Sequence, residues 1–144
     1  MPYEEMMIAP MREELSGIGV KELRSGADVD AFFGNKQGTA LLIVNSVCGC
    51  AAGQARPGVS LALKHKVRPD RAATVFAGQD TEATQKARSY FGEFPPSSPS
   101  FALFKDGKVV HFVPRHMIES QSAENVAANL AGAFEKHCVA KAKA

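Results

Sequence analysis

Cys48-Gly49-Cys50 puts two thiols one residue apart in a chain of 144 residues whose only other cysteine is Cys138. Thiols at so short a spacing serve either thiol–disulfide exchange through a thiolate or the ligation of a soft metal ion. The pair stands where an apolar, β-branched run (39–44) gives way to an alanine-rich segment of helical character. At such a junction, unpaired backbone amides and the positive end of the helix dipole favour a thiolate over a thiol. Cys48, at the helix start, is therefore the expected nucleophile, and Cys50, further into the helix, is the expected resolving thiol. Gly49 takes side-chain bulk away from the approach to the sulfur and permits the torsions that a Cys-x-Cys ring demands. A ring closed over a single residue is tight, so its disulfide is expected to be strained and comparatively oxidising.

Two other motifs are candidates for the same site. In Ser98-Pro99-Ser100-Phe101 a proline stands just ahead of a strand. A cis Ser98–Pro99 bond there would set backbone beside Cys48 for pairing with an extended substrate, whereas an ordinary trans-proline would be a loop feature only. Pro114-Arg115-His116 follows the final strand. Arg115, through its planar fork, and His116, which titrates near neutrality, could stabilise a thiolate or bind a carboxylate on a thiol substrate. Solvated surface charge is the alternative for both. Cys138, next to His137, reads as a bystander, and His65 and His111 have no recognisable partner.

The elements that must position these residues follow from periodicity. Residues 3–15 place Met6, Met7, Met11 and Leu15 at helical spacing before the stop at Ser16-Gly17. A short strand at 20–23 and a helix at 27–33 come next, then the strand at 39–44, whose unbroken apolar run suits the centre of a sheet covered on both faces. A helix at 51–66 is expected to bend at Pro57. Residues 72–77 form a strand ended by Gly78, and Asp80 caps a helix running to about Tyr90. Gly92, Pro95, Pro96 and Pro99 exclude regular structure before the strands at 101–104 and 109–113, which Asp106-Gly107 joins as a hairpin. A helix at 122–137 closes the chain, with Val126, Leu130, Ala133 and Phe134 on one face.

A helix followed by β-α-β-α-β-α-β-β-α is the thioredoxin arrangement: an α/β fold with a central mixed sheet flanked by helices and an extra N-terminal helix. Residues 1–144 are read as one domain, with 1–17 as a helical extension and 139–144 as a frayed tail. Hydrophobic residues make up 45% and charged residues 22%, with a net charge of +2. Those values describe an ordinary globular chain and give no reason to expect nucleic acid as a partner. The acidic N-terminus lacks the basic and apolar regions of a signal peptide, so a cytoplasmic location is expected. The uncharged stretch 37–55 reads as a buried strand running into a helix rather than as a membrane span.

The sequence resembles the bacilliredoxin family at Val44-Asn45-Ser46-Val47-Cys48-Gly49-Cys50-Ala51-Ala52-Gly53 and Ala55-Arg56-Pro57. The resemblance continues through residues 74–80, 96–100 and 110–116 and the terminal His137-Cys138. It implies a thioredoxin-like fold and a thiol–disulfide oxidoreductase that uses bacillithiol as its co-substrate and needs no resident cofactor. By position, Cys48 would attack the mixed disulfide between bacillithiol and a client cysteine, and Cys50 or a second bacillithiol would complete the cycle. Disulfide isomerisation or general disulfide reduction is the alternative within redox chemistry. From another class, the cysteines could bind metal, helped by His137 or Cys138, although a closed zinc site normally needs four ligands.

Overall fold

The structure, a computed structural model, describes residues 2–140. It opens with α1 (Glu5–Ser16), β1 (Lys21–Glu22), α2 (Gly26–Gly34) and β2 (Thr39–Asn45). A π-helical turn (Ala51–Ala55) then leads into α3 (Arg56–Ala62), followed by β3 (Arg71–Phe76) and α4 (Thr81–Ser89). β4 (Ser100–Lys105), β5 (Lys108–Val113), α5 (His116–Glu119) and α6 (Ala123–His137) complete the order. The order expected from the sequence is the observed one, with the short α5 added.

The strands form one sheet in the order β1-β3-β2-β4-β5. β1, β3 and β2 run parallel, while β4 and β5 are antiparallel to their neighbours. Every residue of β2 is buried. Because side chains alternate across a strand, Leu41 and Ile43 enter the core formed with α3 and α6, where Val59, Leu130 and Phe134 meet them. Ala40, Leu42 and Val44 enter the second core, with Val29, Phe33, Ala83 and Phe91 from the α2–α4 side. Parallel strands covered on both faces need no polar face, which explains the unbroken apolar run. Asp106 (φ 51°) and Gly107 (φ 86°) both adopt the left-handed backbone that a two-residue hairpin turn requires.

Four local expectations are corrected. The buried face of α1 is Ile8, Arg12 and Leu15, while Met6 is 87% exposed. The reason is electrostatic: the guanidinium of Arg12 donates to Glu5, Glu22 and Asp80 at 2.5–3.3 Å, and that paired charge is what the helix face carries inward. Asp80 precedes α4 but makes no side-chain cap, its carboxylate being held by Arg12. The helix after the cysteines ends at Ala62 rather than residue 66, and the irregularity expected at Pro57 takes the form of the π-helical turn Ala51–Ala55 just ahead of it. His111 has a partner after all: its Nε2 lies 2.7 Å from Asn129 Oδ1.

Ala140 forms an isolated antiparallel bridge with Val67, so the chain is still paired at the start of the tail expected to fray. The rest of that tail, 141–144, lies outside the described residues. Among the described residues, no helix is long and apolar enough to cross a membrane.

The packing of α3 on α6 depends on Gly58. A Cβ there would stand 2.5 Å from Val126 Cγ1 and 2.8 Å from Val126 Cβ. Overpacking of this kind costs about 1–3 kcal/mol, and the better helix propensity of alanine returns at most about 1 kcal/mol. Gly58→Ala is therefore expected to lower the urea midpoint with an unchanged m-value; a midpoint equal to wild type would mean that α6 moves away freely.

Candidate active site

β2 delivers the chain to the site. Beyond Asn45 the backbone bends at Val47 and Cys48, and it is already helical at Gly49 and Cys50. The carbonyl of Cys48 accepts the amides of Ala51 (3.0 Å) and Ala52 (3.2 Å), so Cys48 occupies the N-terminal cap of the helix. The two thiols are unoxidised and touch, with Sγ of Cys48 2.7 Å from Sγ of Cys50. Both residues are half-buried, while Gly49 between them is exposed. A Cβ at Gly49 would meet nothing within 4 Å, and its φ is not positive. The reduced loop therefore does not require glycine for its torsions, and open access to the sulfur is the property that remains.

The two sulfurs are electrostatically unlike. At Cys48 burial pushes the thiol up, but the Cys50 thiol, the Ser46 hydroxyl, the Ala51 amide and the charge of Arg115 together outweigh it. The net effect holds Cys48 below the ordinary thiol range. At Cys50 burial also pushes upward, and the hydrogen bond to Cys48 and the charge on Cys48 push the same way. The pair thus loses its first proton from Cys48 and keeps the remaining one on Cys50.

Ser46, Asn45 and Arg56, which the sequence reading did not single out as site residues, form the floor. Ser46 Oγ donates to Cys48 Sγ at 3.2 Å. Arg56, 2% exposed, donates from one nitrogen, Nη1, to Asn45 Oδ1 and to the Ser46 carbonyl, both at 2.9 Å. Its Nε reaches Glu14 of α1 at 2.9 Å. Asn45 Oδ1 also accepts the Ser46 amide at 2.9 Å. A signal was present in the sequence: an Asn-Ser step closes an apolar strand, and an arginine stands in an otherwise small and apolar helical segment. A polar group in such a place must be paired.

The peptide bond between Ser98 and Pro99 is cis. Pro99 is buried, and Ser100 pairs with Val44, which sets the proline beside the end of β2 that leads to the thiols. Arg115 is tied to this loop: its amide donates to Ser97 Oγ (3.3 Å) and its Nη1 to the Ser98 carbonyl (3.4 Å). Its Nε pairs with Glu119 at 2.9 Å, and its charge acts on both sulfurs. His116 is placed differently. It lines an apolar groove of about 340 Å³ with Phe94, Pro95, Pro96, Ser97, Phe112 and Pro114. Among the described residues, no hydrogen bond or ion pair joins its ring to either thiol.

Cys138 packs against the core on the α3–α6 side, near the Val67–Ala140 bridge. That bridge follows the far end of α3, so Cys138 and His137 stand away from the Cys48 end of the sheet. Among the described residues, no group of three or more His, Cys, Asp or Glu side chains could hold a metal ion. The larger cavity, about 470 Å³ and lined by Lys21, Phe32, Asn35 and Arg71, lies at the opposite end of the strands and has no thiol in it.

The fold recurs in solved structures. The thioredoxin of Fasciola hepatica superposes with a TM-score of 0.57 at 19% identity, covering 82% of this chain and 99% of that one. Reduced Schistosoma mansoni thioredoxin gives 0.55 at 18% identity, covering 82% and 97%. At these identities the likeness is one of fold, and joined to two reduced thiols at the cap of a helix it defines a thioredoxin-fold thiol–disulfide oxidoreductase. Within that class the chain belongs to the bacilliredoxin family. Residues 3–138 match the family model described as Disulphide isomerase. A bacilliredoxin of Koribacter versatilis is 49% identical over 142 residues, covering 99% of this chain and 98% of its own length. One from Geobacillus kaustophilus is 51% identical over 142 residues (96% and 98% covered), and one from Bacillus cereus 52% over 137 (94% and 95%).

Alkylation needs the thiolate, so its rate at each cysteine rises with pH through that thiol's own titration. Labelling with iodoacetamide, followed by peptide mass spectrometry, is expected to show Cys48 reacting first as pH rises, with a midpoint below that of Cys50. Arg115→Ala should move the Cys48 midpoint upward only slightly, because that charge is solvent-screened. Cys50 labelling at the lower pH would contradict the assignment of the two sulfurs.

Proposed function

We propose that the protein removes bacillithiol from mixed disulfides on cytoplasmic client proteins. The observation that carries this reading is the half-exposed Cys48 thiol, held below the ordinary range and accessible past Gly49. Membership in the bacilliredoxin family supports bacillithiol as the small thiol. The Cys48 thiolate attacks the bacillithiol sulfur of the client disulfide. The client sulfur leaves as a thiolate and takes a proton from solvent, and bacillithiol remains joined to Cys48. Cys50 can then attack the Cys48 sulfur, expelling bacillithiol and closing the internal disulfide. Alternatively, a second bacillithiol thiolate attacks the bound bacillithiol sulfur, giving bacillithiol disulfide and free Cys48. Gly49 leaves the approach open, the Ser98–Pro99 backbone offers pairing to the client chain, and Arg115 offers its charge to a carboxylate on the small thiol. His116 would contribute from the neighbouring groove. Bacillithiol is a co-substrate here, no resident cofactor or metal takes part, and the partners are client proteins rather than nucleic acid or membrane.

A second reading, disulfide isomerisation, is favoured by the contact between the two thiols and by the description of the matching family model. The reduction potential separates it from general reduction: a value near that of thioredoxin, about −270 mV, favours a reductase, and a distinctly higher one an isomerase or oxidant.

When the reduced protein is mixed with a bacillithiolated client, mass spectrometry is expected to find the bacillithiol adduct on Cys48. Cys50→Ala should still accept the adduct and retain it for longer. A Cys48→Ala variant that reduces the client as fast as wild type would sink the proposal.

A further inference from the structure

Arg56 does not touch a reacting sulfur, yet the molecule buries its guanidinium almost completely. Burying a charge is costly unless it is paired and hydrogen-bonded. Here the carboxylate of Glu14 takes Nε, and two oxygens of the active-site loop share Nη1. The loop contacts are selective. Ser46 is gripped at its carbonyl by Arg56 and at its amide by Asn45 Oδ1, an oxygen that Arg56 also holds. With both sides of the Ser46 backbone fixed, the rotamer it adopts sets its hydroxyl 3.2 Å from Cys48 Sγ. The Cys48 amide returns a contact to the same hydroxyl at 3.4 Å.

We infer that Arg56 is a positioning residue for the exchange reaction: by clamping the carbonyl of Ser46 and the side chain of Asn45, it aims the Ser46 hydroxyl at the Cys48 thiolate. The inference rests on Cys48 being the attacking thiolate. A hydroxyl already oriented in the resting protein stabilises that anion without reorganisation at the moment of reaction. A merely structural arginine would tie α1 to α3 and do no more, and the Glu14 contact could serve that end alone. Of the ionisable groups around Cys48, Cys50 on its own helix and Arg115, paired with Glu119 beyond β5, act on its sulfur, whereas Arg56, paired with Glu14, lies below the loop behind Ser46. Arg115 stays in place in every variant below.

The test is the pH profile of Cys48 alkylation in the otherwise intact chain, which needs no client or bacillithiol and therefore fails or succeeds independently of the proposed substrate. Ser46→Ala is expected to raise the Cys48 midpoint by about 0.5–1 unit, the effect of one lost hydrogen bond to the charged form. Arg56→Met should raise it by a similar amount, and the double variant by no more than the larger single shift, since both remove the same hydroxyl contact. Glu14→Gln should lower the urea midpoint and leave the thiol midpoint alone. Arg56→Lys keeps the charge but loses the planar fork, so a smaller upward shift is expected. Additive shifts in the double variant would overturn the inference, because Arg56 would then act on the sulfur by charge and not through Ser46. So would an Arg56→Lys protein that labels at the wild-type midpoint, whether or not Arg56→Met folds.

Discussion

A strand with no exposed face has to be covered from both sides, and the rest of the molecule is organised by that requirement at β2. Its alternating side chains feed two separate cores, one closed by α3 and α6 and the other by α2 and α4. Hydrogen-bonded on one edge to β3 and on the other to β4, it cannot slip in register without turning both cores inside out. The residue at which the chain leaves this strand is therefore fixed to within a side chain. Cys48 gains its position from that rigidity: the helix that must cover β2 starts where the strand ends, and its first amides open toward the sulfur.

The chemistry comes from breaking the symmetry between two identical side chains. Neither burial nor the helix end alone separates Cys48 from Cys50, because both residues are half-buried and both lie in the first turn. The difference arises from hydrogen bonds reaching Cys48 from Ser46 and Ala51, which Cys50 does not share. Each of these depends on backbone held elsewhere: Ser46 by Asn45 and Arg56, and Ala51 by the helix that caps on the Cys48 carbonyl. The N-terminal helix also takes part, since Glu14 holds the far side of Arg56 and the Met11 carbonyl receives Asn45 Nδ2 at 3.4 Å. An element that looks like an accessory to the fold thus supports the floor of the site.

How much of this was legible in the sequence depended on the range of the interaction. The thiols, the apolar strand before them, the hairpin at Asp106-Gly107 and the cis position of Pro99 are local patterns or follow from element order, and all could be read. The inward face of α1 could not, because Arg12 is buried by Glu5 of its own helix together with carboxylates from two other segments, Glu22 and Asp80, and periodicity alone assigns that face to the methionines. The same competition decides Asp80: its carboxylate can cap α4 or pair with Arg12, and the buried charge wins. Arg115 stood at the correct end of the sheet because strand direction dictated it. Its neighbour His116 did not follow, because α5 begins there and one step along a helix turns a side chain about 100° away.

The coupling between the two sulfurs also imposes an order on their use. While Cys48 is a thiolate, its charge and its hydrogen bond both act to keep the proton on Cys50. Two adjacent anions would repel at short range, so only one sulfur is nucleophilic at a time. Once Cys48 is joined to another sulfur, its charge is gone, and with it both contributions that it made to Cys50. What remains is the effect of burial, opposed by Arg115 and by the residue's own amide. In the proposed exchange, Cys50 therefore becomes easier to ionise at the stage when there is a disulfide for it to attack. Whether it then closes the ring or yields to an external thiol becomes a competition between a tight intramolecular geometry and the concentration of that thiol, a balance that conditions can tip either way without any change in the fold.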